Sequence, residues 1–148
     1  MLGRGGAVTS RRMNLLFHLH SGLRYLIVVM ALVAFGVFLV GQLRGSTFGR
    51  LHRAMGAAYA GLVHLQVTLG IVLVAMGRYY PRLIGHMALM LTAAIVLQVL
   101  LSLNTRRAQP SFSRPLLGVV VSILCFVAGL AAIGRGLFEA TAFAPLPG

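Results

Sequence analysis

The chain has 148 residues, 59% of them hydrophobic and only 9% charged, with a formal net charge of +12. Soluble domains run nearer half apolar and a quarter charged, so a mean hydropathy of +0.93 argues against a soluble enzyme, a nucleic-acid binder and a disordered tail. All thirteen basic residues are arginines, set in short clusters between long apolar runs, which is where an integral membrane protein keeps them.

Residues 1–12 are polar and glycine-rich, and the apolar run after them is too long for the core of a cleavable signal peptide. Four stretches then reach the roughly twenty residues that a bilayer-spanning helix needs. The first covers about 23–43, opened by Arg24 and closed by Arg44, with Gly36 near its middle and His18 and His20 just before it. The second covers about 54–76, where Gly56, Ala60, His64 and Thr68 recur every four residues along one helical face. The third covers about 83–103, with Pro81 placed to begin it and His86 about one turn inside. The fourth covers about 115–134, begun by Pro115 and carrying a line of small residues, Gly118, Ser122, Cys125, Gly129 and Ala132. Such lines let membrane helices approach closely. Cys125, the one cysteine, has no internal disulfide partner and reads as a small packing residue. Gln66, Thr92 and Gln98 are intramembrane polar residues that suit interhelix hydrogen bonds or a quinone.

The links, about 44–53, 77–82 and 104–114, are short, and short links make sequence neighbours antiparallel and adjacent. The expected architecture is all-α, an integral membrane four-helix bundle running up-down-up-down, as a single transmembrane domain over residues 1–148. Arg4, Arg11, Arg12, Arg24, Arg78, Arg82 and Arg135 then fall on the side of the N-terminus. Arg44, Arg50, Arg53, Arg106, Arg107 and Arg114 fall on the other. Seven against six barely biases orientation; the denser pair of loops, on the second side, leans towards the cytoplasm.

An ionisable residue inside a span is expensive and marks a functional site. The chain has five histidines and one carboxylate side chain, Glu139, so a carboxylate-based proton relay or hydrolytic pair has no parts to use. His20 and His86 belong to the first and third helices, which are diagonal in an antiparallel bundle, at similar depth on one side. Two imidazoles facing each other there match a bis-histidine haem b site. Arg24, one turn beyond His20, is placed to pair with a haem propionate, and Gly56, Ala60 and Thr68 would give the site a wall of small residues. His18 is two residues from His20, so at most one of them enters the core. His64 lies about 18 Å into its helix against about 5 Å for His86 at 1.5 Å per residue. That mismatch leaves His64 either a second, deeper cofactor or a buried polar contact. Met87 and Met90 read as core filler. His52, between Arg50 and Arg53, reads as part of a solvated basic loop.

The residues Phe17-His18-Leu19-His20-Ser21-Gly22-Leu23-Arg24-Tyr25 resemble the N-terminal H-S-G-L-R-aromatic signature of small four-helix bacterial membrane proteins labelled cytochrome b. His64-Leu65-Gln66 with Leu69-Gly70 is similar to that family's H-x-Q-x-x-x-G pattern, and His86-Met87 with the run to Leu97 to its histidine-opened helix. The resemblance covers roughly 17–103. It implies haem ligation at His20, His64 and His86, although Gly85 stands where the family usually has a glutamate. The expected function is a b-type haem protein of a bacterial inner membrane, moving electrons to or from quinone or a larger energy-transducing complex. The alternative is a non-catalytic accessory subunit of a respiratory or photosynthetic complex, its histidines free to bind pigment.

Overall fold

Inside a bilayer a helix satisfies every backbone hydrogen bond within its own segment, and all four apolar runs adopt it. A computed structural model, which describes residues 4–139 and the side chains of 11–139, contains α1 (Arg4–Leu43), α2 (Arg50–Ala75), α3 (Leu83–Thr105) and α4 (Ser113–Ala132). No strand is present among the described residues. All four helices are long and apolar enough to cross a membrane. The molecule is an all-helical membrane four-helix bundle.

The boundaries differ from the sequence expectation mainly at the amino-terminal side. The 40 residues of α1 include His18 and His20, which therefore lie within the helix rather than before it. No proline interrupts the segment, and a lone Gly22 does not stop a helix. α2 starts at Arg50, four residues early, because the Gly49 N–H donates to His52 Nδ1 at 3.1 Å and caps the first turn. His52 is thus not a solvated loop residue. Its ring sits half-buried, edge-on to Phe112 at 4.8 Å and beside Phe48 at 5.4 Å. Pro115 is the third residue of α4, still in the first turn, where it costs no helical hydrogen bond.

Helix ends are set by glycine. After α1, Gly45 takes φ 62°, its N–H bonds Gln42 O and the Ser46 N–H bonds Gly41 O. This pair of bonds defines a Schellman stop, which favours glycine because a Cβ is strained at positive φ. The same pair closes α2 at Gly77 and α4 at Gly134. After α3 the buried Asn104 does the work instead, its Oδ1 accepting the Ser111 N–H at 3.0 Å across the link.

Neighbours in sequence are neighbours in space, and α1 also packs on α4, closing the ring. The closest pair is α3 with α4. The small residues of α4 explain it: a Cβ on Gly129 would sit 2.7 Å from Met90 Cε, and one on Gly118 3.3 Å from Leu97 Cδ1. Ala34, Phe38, Tyr59, Leu97 and Val119 form the buried centre. Across the α2–α4 diagonal, Tyr59 O–H meets Ser122 Oγ at 2.8 Å, while Ser122 donates to Val119 O.

Candidate functional site

The other diagonal, between α1 and α3, is open. A cavity of about 430 Å³ lies towards the end of the bundle that holds the α2–α3 turn, with all four helices contributing to its wall. That volume is within the span of ligand pockets, about 300–1,000 Å³. Most of the lining is aliphatic, aromatic or methionine, including Val67, Val74, Met87, Met90, Phe126 and Leu130. His20, Arg24 and His86, singled out in the sequence, all line it.

His86 is held by its own neighbour helix. Its Nδ1–H donates to the Gly129 carbonyl at 2.9 Å. A backbone acceptor on one ring nitrogen fixes the tautomer and leaves Nε2 with its lone pair, the arrangement found behind metal-ligating histidines. His20 comes from α1 with its ring against Gly70, where a Cβ would approach Cε1 to 3.2 Å. The Gln66 side-chain amide meets His20 Nε2 at 3.4 Å, a long contact. His20 Nδ1, Gln66 Oε1 and Arg24 Nε are buried with no hydrogen-bond partner. Leaving a buried polar atom unsatisfied costs about 1–3 kcal/mol. All three lie beside the one cavity. The donor set is two imidazoles in an apolar surround, which is what a bis-histidine haem would require.

The cationic side of the cavity is larger than the sequence reading found. Arg24 is only 3% exposed, and its NH2 group donates to the Glu139 carbonyl and, at 2.9 Å, to Tyr25 Oη. Arg78 and Arg135 line the same cavity. Arg78 also lies over the Phe17 ring at 4.6 Å. Burial pushes the Arg78 guanidinium down from its ordinary pKa; Tyr80 opposes this, and the Arg135 charge adds to it. From the sequence both arginines count only among the charges of the N-terminal side. The signal available was position: each follows a glycine at a short link or helix end on the side of His86.

Other sequence candidates go elsewhere. His64 is exposed on the outer surface of α2, its Nδ1–H donated to Ala60 O at 2.7 Å, and it is not brought to His20 or His86. The reason is geometric: a four-residue step advances about 400°, so the line from Gly56 to Thr68 drifts by about 40° per step. Gly56 and Ala60 are buried, whereas His64 and Thr68 emerge on the outside. Gly56 packs against Leu101 and Phe38, and the cavity wall on α2 is instead Gln66, Val67, Gly70 and Val74. His18 is exposed, edge-on to Phe17, so His20 rather than His18 is the histidine of α1 that faces inward. Thr92 and Gln98 are exposed and bond within α3; of the three polar intramembrane residues only Gln66 turns inward.

Among the described residues no three His, Cys, Asp or Glu side chains converge, so a many-ligand metal cage is not built and the histidines offer a two-imidazole site. No family model, curated protein or solved structure matches the chain.

Proposed function

We propose that this chain is a b-type haem protein of a bacterial inner membrane that passes electrons to or from quinone or a larger energy-transducing complex. The observation that carries the reading is one apolar cavity lined from diagonal helices by His20 and His86, with arginines beside them. A haem held there supplies a one-electron iron couple. The chain supplies the rest. His86 keeps one nitrogen on Gly129 and offers the other; His20 offers a nitrogen held only by the long Gln66 contact. The largely aliphatic wall would limit water at a metal held there and raise the weight of each nearby charge. Purified protein should give sharp reduced-minus-oxidised α and Soret bands, and His86→Ala should abolish the low-spin signal. A colourless wild type after haem reconstitution refutes the reading.

The accessory-subunit reading has one observation in its favour. His64 and Thr68 stand on the outer surface of a membrane helix, where lipid offers them nothing. A partner helix or a pigment metal would cover the outward His64. Co-purification of a stable partner that is lost in His64→Leu supports this; a monomer unchanged by the substitution opposes it.

A further inference from the structure

We propose that the segment after α4, residues 135–139, is a strap that gates entry to the cavity and is latched to α1 by Arg24. Such a gate acts on whatever the cavity holds, haem or another ligand.

α4 stops at Gly134, and the Arg135 N–H completes the stop on Leu130 O. From there the chain runs across the end of the bundle to α1. At one end of this segment Arg135 lines the cavity. At the other, the Glu139 carbonyl accepts the NH2 group of Arg24 at 2.6 Å, a contact between residues 115 apart in sequence. Arg24 is itself a buried residue of the cavity wall. Both ends of the segment therefore sit at the wall. Between them the chain is folded on itself, with the Gly136 N–H donating to Glu139 Oε2 at 2.9 Å and the Glu139 N–H to Gly136 O. Leu137 packs against the core, whereas Phe138 is exposed. A short segment of this kind, with little apolar surface buried, opens locally far below the free energy of global unfolding. Gly134 and Gly136, on either side of Arg135, give it a hinge. Arg24 stands on a continuous helix and is the fixed post. Its acceptor is a backbone carbonyl, so the latch depends on Arg24 and not on the side chain at position 139. Released from Arg24, the strap carries Arg135 off the wall and opens the cavity between α1 and α4.

The test uses the full-length chain in nanodiscs, in a Cys125→Ala background, and needs no ligand. Two single-cysteine probes are reacted with a hydrophilic maleimide: Met87→Cys on the cavity wall, and Val119→Cys in the buried centre away from it. Arg24→Gln should raise the Met87→Cys rate at least about tenfold, the factor expected when a hydrogen bond to a charged group is lost. Leu137→Gly, which removes the apolar contact of the strap, should act in the same direction, and it decides alone where Arg24→Gln does not fold. Val119→Cys should stay unreactive in both. Glu139→Gln keeps the backbone carbonyl and a side-chain oxygen for Gly136, and should match the parent protein. A Met87→Cys rate that neither substitution moves overturns the gate, as does a rise shared by Val119→Cys, which reports loosening of the whole bundle. The haem reading stands or falls separately. A gated cysteine in a protein that stays colourless with haem keeps the strap and removes the haem; a bis-imidazole spectrum with an ungated cysteine does the reverse.

Discussion

Gly129 serves the site twice, through an atom it lacks and an atom it has. The missing Cβ lets Met90 Cε approach, and the carbonyl takes the His86 Nδ1–H. Gly129→Val should overpack the α3–α4 seam at a cost of about 1–3 kcal/mol and turn His86 away. Both a lowered thermal midpoint and a weaker haem titration should follow. Gly36→Ala is the control, since nothing lies within 4 Å of its added Cβ; it should leave both measurements unchanged. At the outer surface of α2, His64→Leu should leave the bis-imidazole spectrum intact, and loss of that spectrum would bring His64 into the site. The sequence made His20 and His86 legible because a buried imidazole without a carboxylate demands a reason. It did not make His64 legible, because a spacing of four says that residues are neighbours and not that the face stays inward over three turns. Arg78 and Arg135 were hidden for a different reason. Arginine at a span end already has an explanation in membrane topology, and only the packed structure shows a second one.

At the scale of helices, what holds the bundle differs from what ends its elements. The Tyr59–Ser122 hydrogen bond joins α2 to α4 through the buried centre. Interhelix hydrogen bonds in membrane bundles contribute about 0.6 kcal/mol on average. The two partners are not equivalent, however. In Tyr59→Phe, Ser122 keeps its bond to Val119 O and little is stranded. In Ser122→Ala, the buried Tyr59 hydroxyl loses its acceptor, and an unsatisfied group costs about 1–3 kcal/mol. Ser122→Ala should therefore lower stability more than Tyr59→Phe in denaturant-induced unfolding from detergent micelles; the reverse order would show that Tyr59 has another acceptor. The lengths of α3 and α4 were readable to within two residues because proline and arginine flank them. The start of α1 was not, since hydropathy measures where lipid is tolerated, while a helix continues until its backbone is stopped. Nothing between Arg11 and Leu43 stops it, and Gly45 does.

For the whole molecule, antiparallel packing sorts the arginines into two opposed sets with different surroundings. Arg24, Arg78 and Arg135 gather at the cavity. Arg44, Arg50, Arg53, Arg106, Arg107 and Arg114 stand at or beside the helix ends of the opposite side, where Arg114 donates to Leu103 O and Arg107 to Ser111 Oγ. At a membrane surface the second set would meet headgroups, where each juxtamembrane arginine near an anionic surface contributes about 1 kcal/mol. With Arg24, Arg78 and Arg135 lining the cavity, the expected orientation puts the face with these six arginines at the anionic leaflet. This sharpens a balance that a count of arginines leaves almost level. In a Cys125→Ala background, single cysteines placed at Ser46 and Ala108 should react with a membrane-impermeant thiol reagent from the cytoplasmic side, and one at Tyr79 only from the other. Labelling of positions 46 and 108 from different sides would contradict the fold itself. Labelling of both from the outside would keep the fold, reverse its orientation, and place the cavity end at the cytoplasmic surface.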